Sequence, residues 1–148
     1  MRIIAFDLGR NFAWAGNVGG LSFYHVELHG GSRAHRLGFL INYLSKVLSW
    51  KGYDVAVYET PFARGRDATR SLWGIAGIIE ACATNAGLPV VDVAVPTIKK
   101  FATGHGKASK DQMIKAAQRM GYKGSNEHEA DAVCLLRYAE ANLERVLK

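Results

Sequence analysis

Residues 2–28 read RIIAFDLGRNFAWAGNVGGLSFYHVEL, and this stretch decides the fold. The apolar run Arg2–Leu8 ends at a glycine, which is typical of a buried central strand followed by a turn. Two further runs, Asn11–Val18 and Leu21–Leu28, are rich in aromatic and β-branched residues, and the glycine pair between them favours a tight hairpin. The sequence therefore predicts three consecutive antiparallel strands.

The rest of the chain alternates helical and strand patterns. Ser32 caps a predicted helix that stops at Gly52. The later predicted elements are a strand at Asp54–Tyr58, a helix at Ala68–Ala86, a strand at Val90–Val95, a short helix from Pro96 to Phe101, and helices from Ser109 to Gly121 and from Asn126 to Val146. We therefore expect one α/β domain over residues 1–148. Its mixed sheet would have five strands, three antiparallel and then two parallel, flanked by helices.

The composition favours a compact, soluble domain. Of the 148 residues, 49% are hydrophobic and 22% are charged, which excludes a disordered chain. The longest uncharged stretches, such as Ser71–Ile79, are far shorter than the roughly 20 apolar residues that span a bilayer. We therefore expect a cytoplasmic protein with no membrane segment. Cys82 and Cys134 lie in apolar stretches without partners at metal-ligand spacing, and both are interpreted as small buried hydrophobic residues.

The positive charge is concentrated in one segment. Residues 99–123 hold seven Lys and Arg residues against the single acid Asp111, whereas acids and bases balance in the rest of the chain. A basic block on a balanced domain is typical of a protein that binds a polyanion such as nucleic acid. A solvated basic face without a partner is the alternative.

Acidic residues close two of the predicted strands. Asp7 follows four apolar residues where the sheet should be buried, and Glu59 follows another apolar run. Burying an ionised carboxylate is costly unless a partner compensates it. Asp7 could simply cap the turn at Gly9, but two separate strands that both end in a carboxylate favour a shared site.

The start of the last predicted helix carries further acids. Glu127 and Glu129 fit a helix N-terminus by complementing its dipole, but Asp131 lies past the first turn, on the face of the apolar Cys134. His128 lies three residues before Asp131, and Glu127 lies four residues before it. Either side chain can therefore lie beside Asp131 on the helix. A cluster of Asp7, Glu59, Asp131 and one of these neighbours would repel itself without cations. Mg²⁺ or Mn²⁺ would relieve the repulsion and support phosphodiester hydrolysis.

Four segments carry a resemblance to a known family: IAFDLGR from residue 4, VAVYETPF from residue 55, VPTIKKFATGHGKASKDQM from residue 95 and HEADAVCLL from residue 128. In this order, and over nearly the whole chain, they resemble the RuvC family of Holliday junction resolvases, in the compact form found in bacteriophages. The resemblance implies a ribonuclease-H-like fold, a homodimer, and Mg²⁺-dependent paired nicking of four-way DNA junctions.

The resemblance also implies roles for individual residues. In the family, four residues bind two Mg²⁺ ions, and the matching positions here are Asp7, Glu59, His128 and Asp131. Mn²⁺ would substitute for Mg²⁺. Glu127 is the alternative to His128 as the fourth ligand. Two lysines match basic residues near the active site. Lys99 would screen developing negative charge, and Lys110 would approach the scissile phosphate.

Other residues are expected to contact DNA. Phe62 matches an aromatic position near the junction centre, where a ring could stack on an unpaired base; a core position at a loop is the alternative. Phosphate contacts are expected from four basic residues: Arg64, Arg66, Arg70 and Lys107. The helix over residues 68–86 is dense in small residues and carries Trp73. It would pack either on a second subunit or on its own sheet.

Two other functions share these features. A ribonuclease H, or an RNA-processing nuclease of the YqgF type, has the same fold and carboxylate placement. A catalytically silent junction-binding protein would keep the positive charge without needing four converging ligands. Leu8 stands where cellular RuvC members usually carry proline, and phage relatives can accept replication forks. The expected substrates therefore include branched DNA other than the four-way junction.

Overall fold

The computed structural model describes residues 1–62 and 65–147, without the side chains of residues 50, 51 and 144–146. Its sheet has the strand order β3-β2-β1-β4-β5. The strands are β1 Ile3–Asp7, β2 Asn11–Gly16, β3 Ser22–Glu27, β4 Val55–Glu59 and β5 Val90–Val93. β1 pairs antiparallel with β2, and β2 with β3, whereas β1, β4 and β5 run parallel. The predicted fold class is confirmed.

Five helices cover the two faces of this sheet: α1 Arg33–Lys51, α2 Arg66–Asn85, α3 Val95–Thr103, α4 Lys110–Arg119 and α5 Glu127–Val146. β1 is buried throughout because it lies at the centre of the sheet. Its side chains alternate between two cores. Ile3 and Ala5 face the core under α3, α4 and α5, whereas Ile4 and Phe6 face the core under α1 and α2.

Local signals in the sequence set the ends of several elements. Gly19 and Gly20 adopt positive φ angles of 72° and 108° in the turn between β2 and β3. Ser32 caps α1 by accepting a hydrogen bond from the backbone N–H of His35 at 3.2 Å. Ser109 and Gln112 form the predicted capping box of α4. These boundaries were predictable because each depends on residues a few positions apart.

The predicted strand at residues 90–95 is two residues too long. The carbonyl of Ala94 already accepts hydrogen bonds from the N–H groups of Thr97 and Ile98, and Pro96 lies in the first turn of α3. The helix therefore begins at Val95, directly after the strand. No helix of the described residues is long and apolar enough to cross a membrane.

Candidate active site

Two carboxylates meet at one edge of the sheet because β1 and β4 are parallel. Asp7 is the last residue of β1 and Glu59 the last residue of β4. Phe6 and Tyr58 are register partners, so the two acids follow on neighbouring strands. Asp7 is only 5% exposed, and its carboxyl group shares a hydrogen bond with that of Glu59. The sheet therefore places two acids together where a buried carboxylate is costly.

The first turns of α5 bring His128 and Asp131 to the same edge. Asn126 caps the helix, and its side-chain oxygen accepts from the N–H groups of His128 at 2.9 Å and Glu129 at 3.1 Å. The Nδ1 atom of His128 lies 2.9 Å from Oδ2 of Asp7. Asp7 also lines a pocket, together with Glu59, Asp131 and Lys99. The structure thus brings together all four predicted ligands.

The carboxylates of this pocket hold protons more tightly than exposed acids. Burial, and then the charge of Asp131, raise the pKa of Asp7 well above its ordinary value. Burial and the charges of Asp7 and Asp131 raise the pKa of Glu59 to about 9. Burial also raises the pKa of Asp131 to about 6, although the positive charges of Lys99 and His128 oppose the rise. The site therefore gathers more buried carboxyl groups than its own cations can keep ionised.

A line of charged groups leads from Asp7 to the surface. The Nε2 atom of His128 faces Oε1 of Glu127 at 3.5 Å. Oε2 of Glu127 pairs with the Lys110 ammonium at 2.7 Å, and this contact lowers the pKa of Glu127. The imidazole of His128 thus lies between Asp7 and Glu127, while Glu127 holds Lys110. The negative charge of Glu127 also contributes to the raised pKa of Asp7.

The donor set fits a hard divalent cation. Three carboxyl groups supply the oxygen ligands that Mg²⁺ and Mn²⁺ prefer, and the imidazole of His128 lies beside them. Within residues 1–62 and 65–147, no three His, Cys, Asp or Glu side chains stand ready as ligands of one ion. In place of an ion, Asp7 has hydrogen bonds to Glu59 and to His128. Side-chain rotation at these residues would free the oxygens of Asp7.

A groove beside the acid pocket is lined by two of the residues that are predicted to contact DNA, Phe62 and Lys107. The groove has a volume of about 590 Å³, and its lining includes Pro61, Phe62, Pro96, Lys99 and Lys107. Phe62 is 78% exposed, so the alternative of a core position is wrong. Lys99 lines both the groove and the acid pocket. The groove is therefore continuous with the acid site.

The remaining predicted contacts lie near the start of α2. Arg66 and Arg70 are exposed on its first turns, and Arg64 lies outside the described residues. Some small residues of α2 pack within the subunit, since a Cβ atom on Gly74 would lie 3.3 Å from Leu37 of α1, whereas a Cβ atom on Gly77 would meet nothing within 4 Å. Trp73 is 51% exposed on the same helix. The face of α2 that carries Trp73 thus remains available to a partner.

One network that supports the site was missed in the sequence. Tyr122 donates a hydrogen bond to Oε2 of Glu129 at 2.7 Å and accepts one from the N–H of Asn126 at 2.9 Å. His25 on β3 lies 2.9 Å from Oε1 of Glu129. These contacts fasten the start of α5 to β3 and to the loop before the helix. His25 and Glu129 are 104 residues apart, so no local spacing could reveal the pair.

Several known proteins that are similar to this chain carry the name RuvC. Crossover junction endodeoxyribonuclease RuvC of Pseudothermotoga lettingae is 32% identical over 130 residues, covering 80% of each chain. RuvC of an Anaeromyxobacter species is 35% identical over 104 residues, which are 69% of this chain and 50% of the relative. The chain thus spans only about half the length of the Anaeromyxobacter relatives it matches. No protein-family model matches the chain.

Solved structures show the same fold. The Thermus thermophilus RuvC structure superposes with a TM-score of 0.80 at 19% identity, covering 99% of this chain and 98% of that one. The same protein in complex with a Holliday junction substrate gives a TM-score of 0.79 and covers 96% of both chains. Together with the Pseudothermotoga relative, these similarities show that the chain belongs to the RuvC family.

Proposed function

We propose that this protein is a metal-dependent, structure-selective endodeoxyribonuclease that resolves four-way and other branched DNA junctions by paired nicking, in the cytoplasm of a bacterial cell or of a phage-infected host. One observation carries the proposal. The carboxyl groups of Asp7, Glu59 and Asp131 come from three different elements and line one pocket with Lys99. Membership of the RuvC family supports DNA as the substrate, and a RuvC relative has been solved with a Holliday junction.

Four residues would hold two Mg²⁺ ions, with Mn²⁺ as a substitute: Asp7, Glu59, His128 and Asp131. When bound, the ions supply an activated water for attack and stabilise charge on the leaving oxygen. The protein's own part is to fix the geometry. The ends of β1 and β4 hold two of the acids at adjacent positions, and the cap at Asn126 holds the first turn of α5 against them.

Two lysines would act on the scissile phosphate. Lys99 lines the acid pocket and would offset negative charge that develops during the reaction. Lys110 is 77% exposed and is held by Glu127 at 2.7 Å. Exchange of this partner for a DNA phosphate would position the strand.

The junction itself would be held by the surrounding surface. Phe62 would stack on an unpaired base, because its exposed ring borders the groove that adjoins the acids. Four basic residues would contact phosphates: Arg64, Arg66, Arg70 and Lys107. A four-way junction has two-fold character, and symmetric nicking of two strands calls for two facing sites. We therefore include a homodimer in the proposal.

A cleavage assay on an immobile four-way junction tests the proposal. Linear duplex, a replication fork and an RNA–DNA hybrid of matched sequence are incubated beside it, with Mg²⁺ or with EDTA. Mg²⁺-dependent symmetric nicks are expected in the four-way junction and none in the linear duplex, and nicks in the fork would extend the substrates to other branched DNA. Cleavage of the hybrid alone would replace the proposal with a ribonuclease H. Tight junction binding with no cleavage in Mg²⁺ or Mn²⁺ would replace it with a silent binding protein.

The control variant is Asp7→Asn. It keeps the shape of the side chain but removes a proposed ligand, so we expect loss of cleavage with junction binding intact or stronger. Normal cleavage by this variant would contradict the assignment of the site.

A further inference from the structure

Three arginines line a pocket on the opposite side of the sheet from the acid site. The pocket has a volume of about 160 Å³, and among the residues that the structure describes no acid lines it. Its walls are formed by Arg10, Arg33, Arg36 and Ser71 over an apolar floor of Leu28, Leu37 and Ile75. Three arginines around one cavity concentrate positive charge there, which is typical of a site for an anion.

The pocket is built from three separate parts of the chain. Arg10 follows the turn that ends β1, Arg33 and Arg36 lie in the first turn of α1, and Ser71 lies on α2. Residues three apart in a helix lie on one side, so Arg33 and Arg36 face the cavity together. Because Arg10 is distant from them in sequence, only the fold reveals the cluster.

The arginines keep most of their hydrogen-bonding capacity. Arg36 donates to the carbonyl of Gly30 at 3.2 Å, and the Nε atom of Arg10 lies 4.0 Å from Glu27 in an exposed ion pair. An exposed pair at this distance contributes little and exchanges easily. For Arg33, no side-chain hydrogen bond or ion pair occurs with any residue that the structure describes. Each guanidinium carries five N–H donors, so several remain for a ligand.

The closeness of the pocket to the acid site indicates that its anion is a phosphate of bound DNA. Arg10 follows Asp7 by three residues, so their Cα atoms are separated by at most about 11 Å. That upper limit is within the reach of a DNA strand bound at the acid site, since successive nucleotides rise about 3.4 Å along the helix axis. A strand held at the acid site would thus bring a nearby phosphate to the arginines. The lysine-rich segment at residues 99–123 belongs to α3, α4 and their flanks on the other face.

We propose that the pocket formed by Arg10, Arg33 and Arg36 binds a backbone phosphate of the DNA arm that leaves the active site over α1 and α2. The inference rests on the proposed function and extends it. The lysine-rich face and the arginine pocket would grip the DNA on both sides of the scissile bond. Phosphate contacts carry no sequence information, so the pocket would position the junction without selecting its sequence.

The first experiment measures junction binding in EDTA as a function of salt concentration. Arg33→Gln, Arg36→Gln and the double variant are compared with wild type. Each phosphate contact that is lost should lower the slope of log K against log salt by about one, equally for junctions of different sequence. The matched control is Lys46→Gln, which removes the same charge from α1 about 20 Å further along the helix. We expect the control to keep the wild-type slope.

The second experiment replaces single phosphates of the junction with neutral methylphosphonates. Wild type should lose affinity at one linkage on the arm that leaves the nick over α1 and α2, and the double variant should be insensitive at that linkage. Thermal unfolding of each variant establishes that it is folded.

The outcomes separate the two proposals. Failure of wild type to bind any junction would overturn the proposed function and, with it, the pocket's role. Wild-type binding and cleavage, with unchanged slopes in both arginine variants, would overturn the pocket alone. A slope that falls equally in Lys46→Gln would also overturn it, because the effect would then be one of general charge.

Discussion

The two ends of strand β4 carry acids in opposite electrostatic states. Asp54 lies just before the strand, where its carboxylate accepts hydrogen bonds from the Arg2 guanidinium at 2.5 Å and from the backbone N–H of Arg2 at 2.8 Å. These bonds lower the pKa of Asp54 to about 2. Glu59 ends the same strand, where burial and neighbouring acids raise its pKa to about 9.

This difference in pKa distinguishes an acid that stabilises the fold, Asp54, from an acid of the proposed active site, Glu59. At the Asp54 end the chain supplies its own cation, so nothing further is required. At the Glu59 end the chain gathers Asp7, Glu59 and Asp131, and Lys99 and His128 are too few to keep all three carboxyl groups ionised. Such an arrangement weakens folding and persists where a ligand relieves it. The Glu59 end should therefore respond to metal, to pH and to neutral substitutions, and the Asp54 end should not respond to metal.

The largest expected effect is on cleavage. Glu59→Gln keeps the size of the side chain but removes a proposed metal ligand, and should lower the rate of junction nicking at least about a hundredfold. Asp54→Asn makes the same chemical change at the other end of the strand and should cut at the wild-type rate. Single-turnover nicking of a four-way junction measures both. Equal rates for the two variants would remove the distinction between the strand ends.

The sequence predicts the acid site because local patterns produce it. Asp7 and Glu59 each follow a run of apolar residues, and parallel strands bring their ends to one edge of a sheet. Asn126 with Glu129 marks the start of α5, which fixes where His128 and Asp131 lie. The elements themselves were predictable for the same reason, with errors only at boundaries such as the end of β5.

Contacts between residues that are distant in the chain could not be predicted from the sequence. Arg2 and Asp54 are 52 residues apart, and the pairing depends on how β1 lies beside β4. His25 and Glu129 meet only because α5 packs across the sheet. The arginine pocket is of the same kind, since the acids and bases outside residues 99–123 balance in number. The count conceals that three of the arginines share one cavity.

The second expected effect is stabilisation by metal. Ions that bind only the folded protein stabilise it by about 2.7 kcal/mol when present at 100 times their dissociation constant. Addition of Mg²⁺ to metal-free protein should therefore raise the Tm by several degrees. Glu59→Gln should lose most of this rise, whereas Asp54→Asn should keep it. Differential scanning calorimetry with and without EDTA makes the comparison, and an equal rise in both variants would place the ions elsewhere.

The third effect is the pH dependence of stability without metal. The pKa of Glu59 rises from its ordinary value of 4.5 to about 9 on folding, so the folded protein binds more protons than the unfolded chain between these values. The free energy of unfolding should therefore fall as the pH increases across this window. In EDTA, Glu59→Gln should show a flatter curve from urea unfolding at each pH. A wild-type curve that rises from pH 5 to pH 8 would contradict the raised pKa.

The smallest effect belongs to Asp54, and its pH dependence has the opposite sign. Folding lowers its pKa from 3.8 to about 2, so the ion pair with Arg2 contributes its full stability above pH 3.8 and loses it as the pH falls through 2. Both side chains are well exposed, at 57% for Arg2 and 37% for Asp54, so solvent screens the pair and the contribution is small. Asp54→Asn should lower the Tm slightly at neutral pH, with or without Mg²⁺, and the difference from wild type should disappear in strong acid. A change that depended on Mg²⁺ would show that the two ends of β4 are coupled, and the separation of structure from function along this strand would then be wrong.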